Sequence, residues 1–333
     1  MRFWIRRGAG TAMLALLAGC GGGDADSGAP TLDDAQRASA AQATAQANAT
    51  CTAVRPFYWE IGRSGGRLAG GTVGGATPTR ETVMPIASAS KMLYAGYVAE
   101  RRAGALSADD IRFLSFRSGY TSFDSCAQLD TVGSCAASGS NGDYTAAHDG
   151  KFFYGGGHMQ QHAAQPSLMG LAALDNAALA AELRSRLGSA IALDYSQPQP
   201  AGGVRMSAAD YALFLQRVLA GSLRLRELLG TSAVHTNPLL YPAEALSTPV
   251  PLGESWSYSI GHWVETDPLV GDGAFSSAGA FGFYPWIDAG RTSYGVLARV
   301  SLATGGSAGG PGMQSAACGR LIRKAWLSGQ SIP

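Results

Sequence analysis

Ser88 and Lys91 stand three residues apart, where the short apolar run Pro85-Ile86-Ala87 gives way to residues that favour a helix. Positions three apart share one helix face, so the hydroxyl and the amine would be neighbours. A serine hydroxyl is a poor nucleophile until a base takes its proton. A lysine can serve only when burial or nearby positive charge lowers its pKa toward neutrality. The first turn of the helix adds free backbone N–H groups that can stabilise an oxyanion. On its own the spacing favours a plainer arrangement, with Ser88 as helix N-cap and Lys91 solvated. Partners elsewhere in the chain must decide.

The elements that would position this pair read as follows. A helix rich in Ala, Leu, Met, Glu and Arg is expected from Lys91 to Ala105, with Gly104 near its end. Before it, Val54 to Gly75 predicts a β-hairpin whose turn is Arg63-Ser64-Gly65-Gly66. After it, Ser107-Ala108-Asp109-Asp110 is a fresh N-cap signal, and Arg117 to Asp149 lacks periodicity and reads as a surface excursion. Ala173 to Leu187 and Ser207 to Ser222 predict core-packed helices. From Trp256 the pattern turns to β, with strands expected over Trp256 to Val264, Ala274 to Ile287 and Thr292 to Ser301, then a closing helix over Met313 to Leu327. Strands at both ends with helices between them predict an α/β (α+β) fold. An antiparallel sheet flanked by helices is built from both chain ends, and a helical lobe is inserted at about 105–245.

The chain begins with Arg2, Arg6 and Arg7 and the apolar run Thr11 to Ala18, too short to span a bilayer. Leu17-Ala18-Gly19-Cys20 resembles the lipobox of bacterial lipoproteins. The resemblance implies a signal peptide over 1–19, diacylation of Cys20 and a bacterial cell-envelope location; the following Gly21 is compatible with outer-membrane sorting. A plain secretory signal is the alternative, and both export the protein. Residues 21–49, mostly Gly, Ala, Gln, Asp and Ser, predict a flexible tether before a domain spanning about 51–330. Beyond the first twenty residues the chain carries 22 basic and 24 acidic groups, a formal charge of −2. No basic run argues for nucleic acid. Five cysteines, one of them lipidated in this reading, leave four in an oxidising compartment. Cys126 and Cys135 enclose a short polar loop and are paired here, which leaves Cys51 with Cys318. No Cys/His spacing suggests a metal, and nothing calls for a cofactor.

Three stretches now stand in order: Ser88-Ala89-Ser90-Lys91; Tyr154-Gly155-Gly156 within a Gly-rich run; and Ser277-Ala278-Gly279 in the β region. Together they resemble the serine β-lactamase/penicillin-binding superfamily, whose elements are Ser-x-x-Lys, Tyr-x-Asn and Lys/His-Thr/Ser-Gly, on the branch of class C β-lactamases, DD-peptidases and related esterases. Ala201-Gly202-Gly203-Val204-Arg205-Met206-Ser207-Ala208-Ala209-Asp210 and Tyr258-Ser259-Ile260-Gly261-His262-Trp263 resemble two further family stretches. The resemblance covers about residues 54–327. It implies Ser88 as the acylated nucleophile, Lys91 as its base and Tyr154 as a second proton carrier, with the backbone N–H groups of Ser88 and Ala280 as oxyanion hole.

Two departures matter. Gly156 stands where the family's asparagine holds a substrate amide, and Ser277-Ala278-Gly279 lacks the cation and the hydroxyl that receive a carboxylate. A charge-assisted contact of that kind is worth roughly 1.5–3 kcal/mol. The expectation is therefore an esterase-like hydrolase acting on a small ester, amide or peptide-like substrate. A β-lactamase or DD-peptidase using another cation is the alternative within enzymes, and a non-catalytic envelope lipoprotein the alternative outside them. His158 and His162 mimic a metal-binding helix, but Met159 stands where a His-Glu-x-x-His protease has its Glu, so they read as a packed face behind Tyr154. His148, His235 and His262 receive no role. Tyr284 and Trp286 fit either the wall of an acyl pocket or strand packing.

Overall fold

The computed structural model describes residues 32–302 and 309–333. The expected signal peptide, Cys20 and the first part of the tether lie outside them. An eight-stranded antiparallel sheet forms the centre, in the order Gly66–Val73, Phe57–Arg63, Tyr294–Ala298, Tyr284–Ile287, Phe275–Ser276, Trp263–Val264, Ser257–Tyr258, Val234–His235. The N-terminal hairpin thus docks against the last strand, with Trp59 opposite Leu297. The two chain ends share one sheet, as the alternation of strands and helices predicts; the helices between residues 90 and 228 come between them in sequence, and of these Ala208–Leu219 packs on the strand Tyr294–Ala298.

Two expected strands are each broken into a pair. Trp256 to Val264 folds back on itself as Ser257–Tyr258 and Trp263–Val264, because Gly261 takes φ +67 and has no room for a side chain: a Cβ there would meet the Lys91 carbonyl oxygen at 2.8 Å. Ala274 to Ile287 is likewise interrupted by a turn, Gly282 adopting φ +107 beside the Arg299 side chain.

The flexible tether needs correction over its second half. Residues Asp34–Ala47 form a helix, N-capped by Asp33, that continues after Asn48 into the short helix Ala49–Thr52. The segment looked like a linker because it lacks large apolar residues. Ala is, however, the strongest helix former, and its small side chains let Ala40, Ala41 and Ala45 bury against the rest of the fold. Arg37 donates to the carbonyls of Trp326 and Leu327, and a disulfide joins Cys51 to Cys318, Cα atoms 4.8 Å apart. The folded unit therefore begins at residue 33 rather than 51. Cys126 and Cys135 form the second disulfide.

The closing helix, Pro311–Ser328, lies against the sheet along a face opened by glycine. A Cβ at Gly319 would meet the Tyr284 ring at 2.6 Å. Arg323, 1% exposed, pairs with Glu265 and Asp272, both at 2.8 Å, and donates to the Tyr284 hydroxyl. A buried guanidinium is tolerable only when so paired. Tyr284 and Trp286 are thus packing residues beneath this helix and do not line the cavity described next.

Candidate active site

A second, three-stranded sheet delivers the serine. Met84–Pro85 pairs with Val204–Met206, which pairs with Asp194–Tyr195. The Ile86 amide adds one more bond, to Val204 O at 3.1 Å. Ala87 then adopts φ +45, a strained value for a residue with a Cβ, and turns the chain sharply into a 3₁₀ turn over Ala87–Ala89. Ser88 therefore lies in this turn, not at the N-cap of the main helix, which runs Ser90–Arg101 and stops ahead of the expected Ala105, where Ala103 and Gly104 take positive φ. Ser90 Oγ donates to Ala87 O at 2.6 Å and accepts from Val204 N–H at 3.2 Å, and Tyr211 donates to Ala89 O at 2.9 Å. The turn is held from three directions. Ser88 itself remains half-buried and faces a cavity.

Lys91 reaches the same cavity from the first turn of the helix. Its Nζ lies 2.8 Å from Ser88 Oγ and donates to Ala201 O at 2.8 Å. The residue is 4% exposed, with Nζ 4.9 Å from the centre of the Tyr154 ring and no carboxylate among its hydrogen-bond partners. Burial without a counter-charge pulls the ammonium down to about 7. An amine beside a serine hydroxyl is thereby poised near neutrality to exchange a proton.

Tyr154 follows the short strand Phe152–Phe153, which pairs in parallel with Ala245–Ser247; the Tyr154 amide bonds Ser247 O at 3.1 Å. Its ring stacks on Trp263, centroids 5.1 Å apart, and tilts against Phe116 at 5.5 Å. Burial pushes the phenol up to about 12, opposed by hydrogen bonding to Ser88 and Trp263. A Tyr154 hydroxyl so placed carries its proton at neutral pH.

The late turn completes the arrangement. Ser277 Oγ donates to the Ser88 carbonyl at 3.1 Å, and Gly279 N–H bonds Phe283 O at 2.7 Å, which closes the loop carrying Ala280 and Phe281 beside the serine turn. Neither the Ser88 nor the Ala280 amide has a backbone partner among the described residues. Phe281 lines the cavity; Ser277 spends its hydroxyl on the backbone and Ala278 is buried.

The cavity, about 350 Å³, is bounded by Ser88, Lys91 and Tyr154 and by the loop Gln197–Gly202. Lys91 is its single charged lining residue among the described residues. Gly155, Gly156 and Gly157 follow Tyr154 because Tyr120–Phe123 runs directly against them: a Cβ at Gly156 would meet the Phe123 ring at 2.8 Å, and one at Gly157 the Tyr120 carbonyl oxygen at 2.7 Å. A side chain at the family's asparagine position would have to displace the Phe123 ring here. Gln197 and Gln199 went unremarked in the sequence; the repeat Gln197-Pro198-Gln199-Pro200 was the only available sign.

His158 and His162 lie on the buried helix Gly157–Ala164 behind Tyr154, as the sequence reading expects. His158 donates from Nε2 to Phe153 O at 3.0 Å and meets Ser118 Oγ at 2.7 Å through Nδ1. Burial holds it down to about 3, so it is a neutral wedge. His162 bonds Asp110 at 2.9 Å and Tyr94 at 2.8 Å. His262 accepts from the Gly230 amide at 3.0 Å and fixes the Gly261 turn. No group of three His, Cys, Asp or Glu side chains among the described residues could hold a metal.

This architecture is the serine β-lactamase/penicillin-binding protein fold. Solved structures similar to the chain include a D-amino acid amidase from Ochrobactrum anthropi with D-phenylalanine, 14% identical with a TM-score of 0.59 over 87% of this chain and 98% of that one. A penicillin-binding protein homologue from Pyrococcus abyssi is 16% identical with a TM-score of 0.55, over 84% and 74%. A β-lactamase from Mycobacterium bovis is 14% identical with a TM-score of 0.51, over 82% and 96%. No protein-family model and no curated sequence matches the chain.

Proposed function

We propose that the protein is a serine hydrolase that forms an acyl-enzyme on Ser88 from a small ester or amide. The observation that carries this reading is the Lys91 amine, buried, near-neutral in pKa and 2.8 Å from Ser88 Oγ. Unprotonated Lys91 takes the Ser88 proton as Oγ attacks the substrate carbonyl carbon. The Ser88 and Ala280 amides receive the negative charge that develops on the carbonyl oxygen. Tyr154 passes a proton to the departing alcohol or amine and is reprotonated from Lys91. Water then attacks the acyl-enzyme by the reverse route, losing its proton toward Lys91 and releasing the acid and free Ser88. The similarity to an amidase and a β-lactamase supports acyl transfer as the reaction class.

The lining supports an esterase-like preference over a β-lactamase. With Lys91 engaged by Ser88 and Ala201, no free cation faces the cavity among the described residues to receive a carboxylate. The membrane attachment in this reading is lipid on Cys20, which places the enzyme at the bacterial cell envelope. A fluorophosphonate probe followed by a panel of short p-nitrophenyl esters and a cephalosporin tests the reading. Labelling lost in Ser88→Ala, with ester turnover, is expected. No labelling would favour a binding scaffold, and rapid cephalosporin turnover without ester turnover would favour a β-lactamase.

A further inference from the structure

Two loops at one end of the large sheet repeat a pattern. Thr236-Asn237-Pro238-Leu239-Leu240 and Thr266-Asp267-Pro268-Leu269-Val270 both read Thr-Asx-Pro-Leu followed by an aliphatic residue. In each, the Asx side chain accepts from the leucine N–H at 2.9 Å, and the proline fixes its own φ. The same two side chains clamp one segment between them. Asn237 Nδ2 donates to Leu252 O at 2.9 Å and Glu254 O at 3.0 Å, and Asp267 accepts from the Ser255 N–H at 2.8 Å. The polar groups thus turn inward and the apolar ones outward: Leu269 is 88% exposed, Leu239 69%, Leu240 61% and Leu252 45%. Single exposed leucines are ordinary on a protein surface, but several gathered on rigid turns mark an interaction site. The acids among them are already engaged, Glu254 with Arg320 at 3.0 Å and Glu244 with His235 at 2.9 Å. The surface offers apolar contact rather than charge.

The sheet register fixes what else lies at this end. One cross-strand row runs from Gly62 through Ile287 and Val264 to His235. Just beyond it, the chain leaves Val264 for the Leu269 turn and His235 for the Leu239 turn. Beyond the same row lies the turn after Arg63, and Arg63 pairs with Asp34. The helix Pro311–Ser328 agrees: Lys324 donates to Val270 O at 2.8 Å, about one helical turn from the Trp326 and Leu327 carbonyls that hold Arg37. The helix Asp34–Ala47 therefore begins at the leucine-bearing end. From Cys20 to Asp34 the chain reaches about 50 Å at full extension, so lipid on Cys20 would hold this end nearest the membrane. The other end of Pro311–Ser328, about 27 Å away along the helix, abuts the active site: a Cβ at Gly312 would meet Gly279 O at 2.6 Å.

We infer that Leu239, Leu240, Leu252 and Leu269 form a second membrane contact, inserted into the lipid surface beside the anchor, with the Ser88 cavity held at the far end of the sheet. Four leucines do not anchor a protein by themselves. Lipid on Cys20 does that, and the leucines select which face of the fold meets the membrane. This inference rests on the Cys20 lipidation reading and goes beyond it by giving the anchored enzyme an orientation.

The test places a polarity-sensitive NBD dye on Leu269→Cys in the lipidated full chain, bound to protein-free vesicles of phosphatidylethanolamine and phosphatidylglycerol. The control is the same dye on Leu129→Cys, since Leu129 is 96% exposed on the Cys126–Cys135 loop. At position 269, vesicle binding is expected to raise emission by about twofold or more and to lower iodide quenching by a similar factor. At position 129 neither should change. Leu239→Cys is the second labelled variant, expected to respond as position 269 does, and it carries the test if Leu269→Cys does not fold. Equal quenching at 269 and 129, in a chain that incorporates labelled palmitate, overturns the leucine contact alone. Protection in whole cell envelopes without protection on protein-free vesicles gives the patch a protein partner and overturns the lipid contact. Absence of palmitate incorporation overturns the lipidation reading and this inference with it.

Discussion

Lys91 Nζ and the Ala201 carbonyl oxygen are joined by a 2.8 Å hydrogen bond across 110 positions of sequence. The amine would otherwise be free to turn away from Ser88; the bond aims it, while burial strips it of water. The loop thus sets the direction of the proposed base, and burial, with the Tyr154 and Phe116 rings against the amine, sets its basicity.

Removal of Ser88 or of Lys91 is the most direct prediction. Ser88→Ala and Lys91→Ala are expected to lower ester kcat/KM by at least about 10³-fold, since groups that act as a unit fail together. Tyr154→Phe should cost roughly 10²-fold to 10⁴-fold through lost proton transfer. Circular dichroism should show all three folded.

The pH dependence has a definite sign. In the proposed mechanism the active form of Lys91 is the free amine, and its pKa is lowered by burial to about 7 from its ordinary 10.5. Ester kcat/KM should rise about tenfold per pH unit below 7 and level off above it. The same depression acts on stability: between about pH 7 and 10.5 the unfolded chain holds a proton that the folded chain lacks. Stability from this group therefore increases with pH across that window, by at most about 1.4 kcal/mol per unit. Lys91→Ala should flatten both profiles, read by kinetics and by urea unfolding at several pH values.

Restoring the family's asparagine should fail for a steric reason. Gly156→Asn drives a Cβ to 2.8 Å from the Phe123 ring, so a loss of about 1–3 kcal/mol in stability is expected. Adding Phe123→Ala should recover part of it in the double variant, since the two sites are in contact. Chemical denaturation of the four forms measures the coupling.

The Cys51–Cys318 disulfide closes the longest loop in the fold and ties the first helices to the last. Cys51→Ser with Cys318→Ser should cost about 2–5 kcal/mol. Hydrogen exchange should rise first in Asp34–Ala47, whose small apolar face supplies little burial of its own.

Lipidation is checked separately. Cys20→Ala should move the protein from the membrane fraction of a bacterial host to the soluble fraction and abolish incorporation of labelled palmitate.

The sequence by itself determined the order of the elements and the pair at the centre. Alternation and turn residues marked the Phe57–Val73 hairpin, the 3.6-residue period marked Ala208–Leu219, and Ser88-x-x-Lys91 at a strand-to-helix junction marked the site. These signals are local, and local propensity and periodicity carry them. What the tertiary structure decided is everything set by distant neighbours. An alanine-rich segment that reads as a linker becomes the helix Asp34–Ala47 because Pro311–Ser328 offers it a face. Gly156 reads as a missing asparagine, yet Phe123 already fills the place a side chain would need. Ala201 opens a family-like stretch, yet its contact with Lys91 was not legible, because a backbone carbonyl leaves no residue pattern to recognise. The depressed pKa of Lys91 was only a condition in the sequence; burial, which no four-residue spacing encodes, is what meets it.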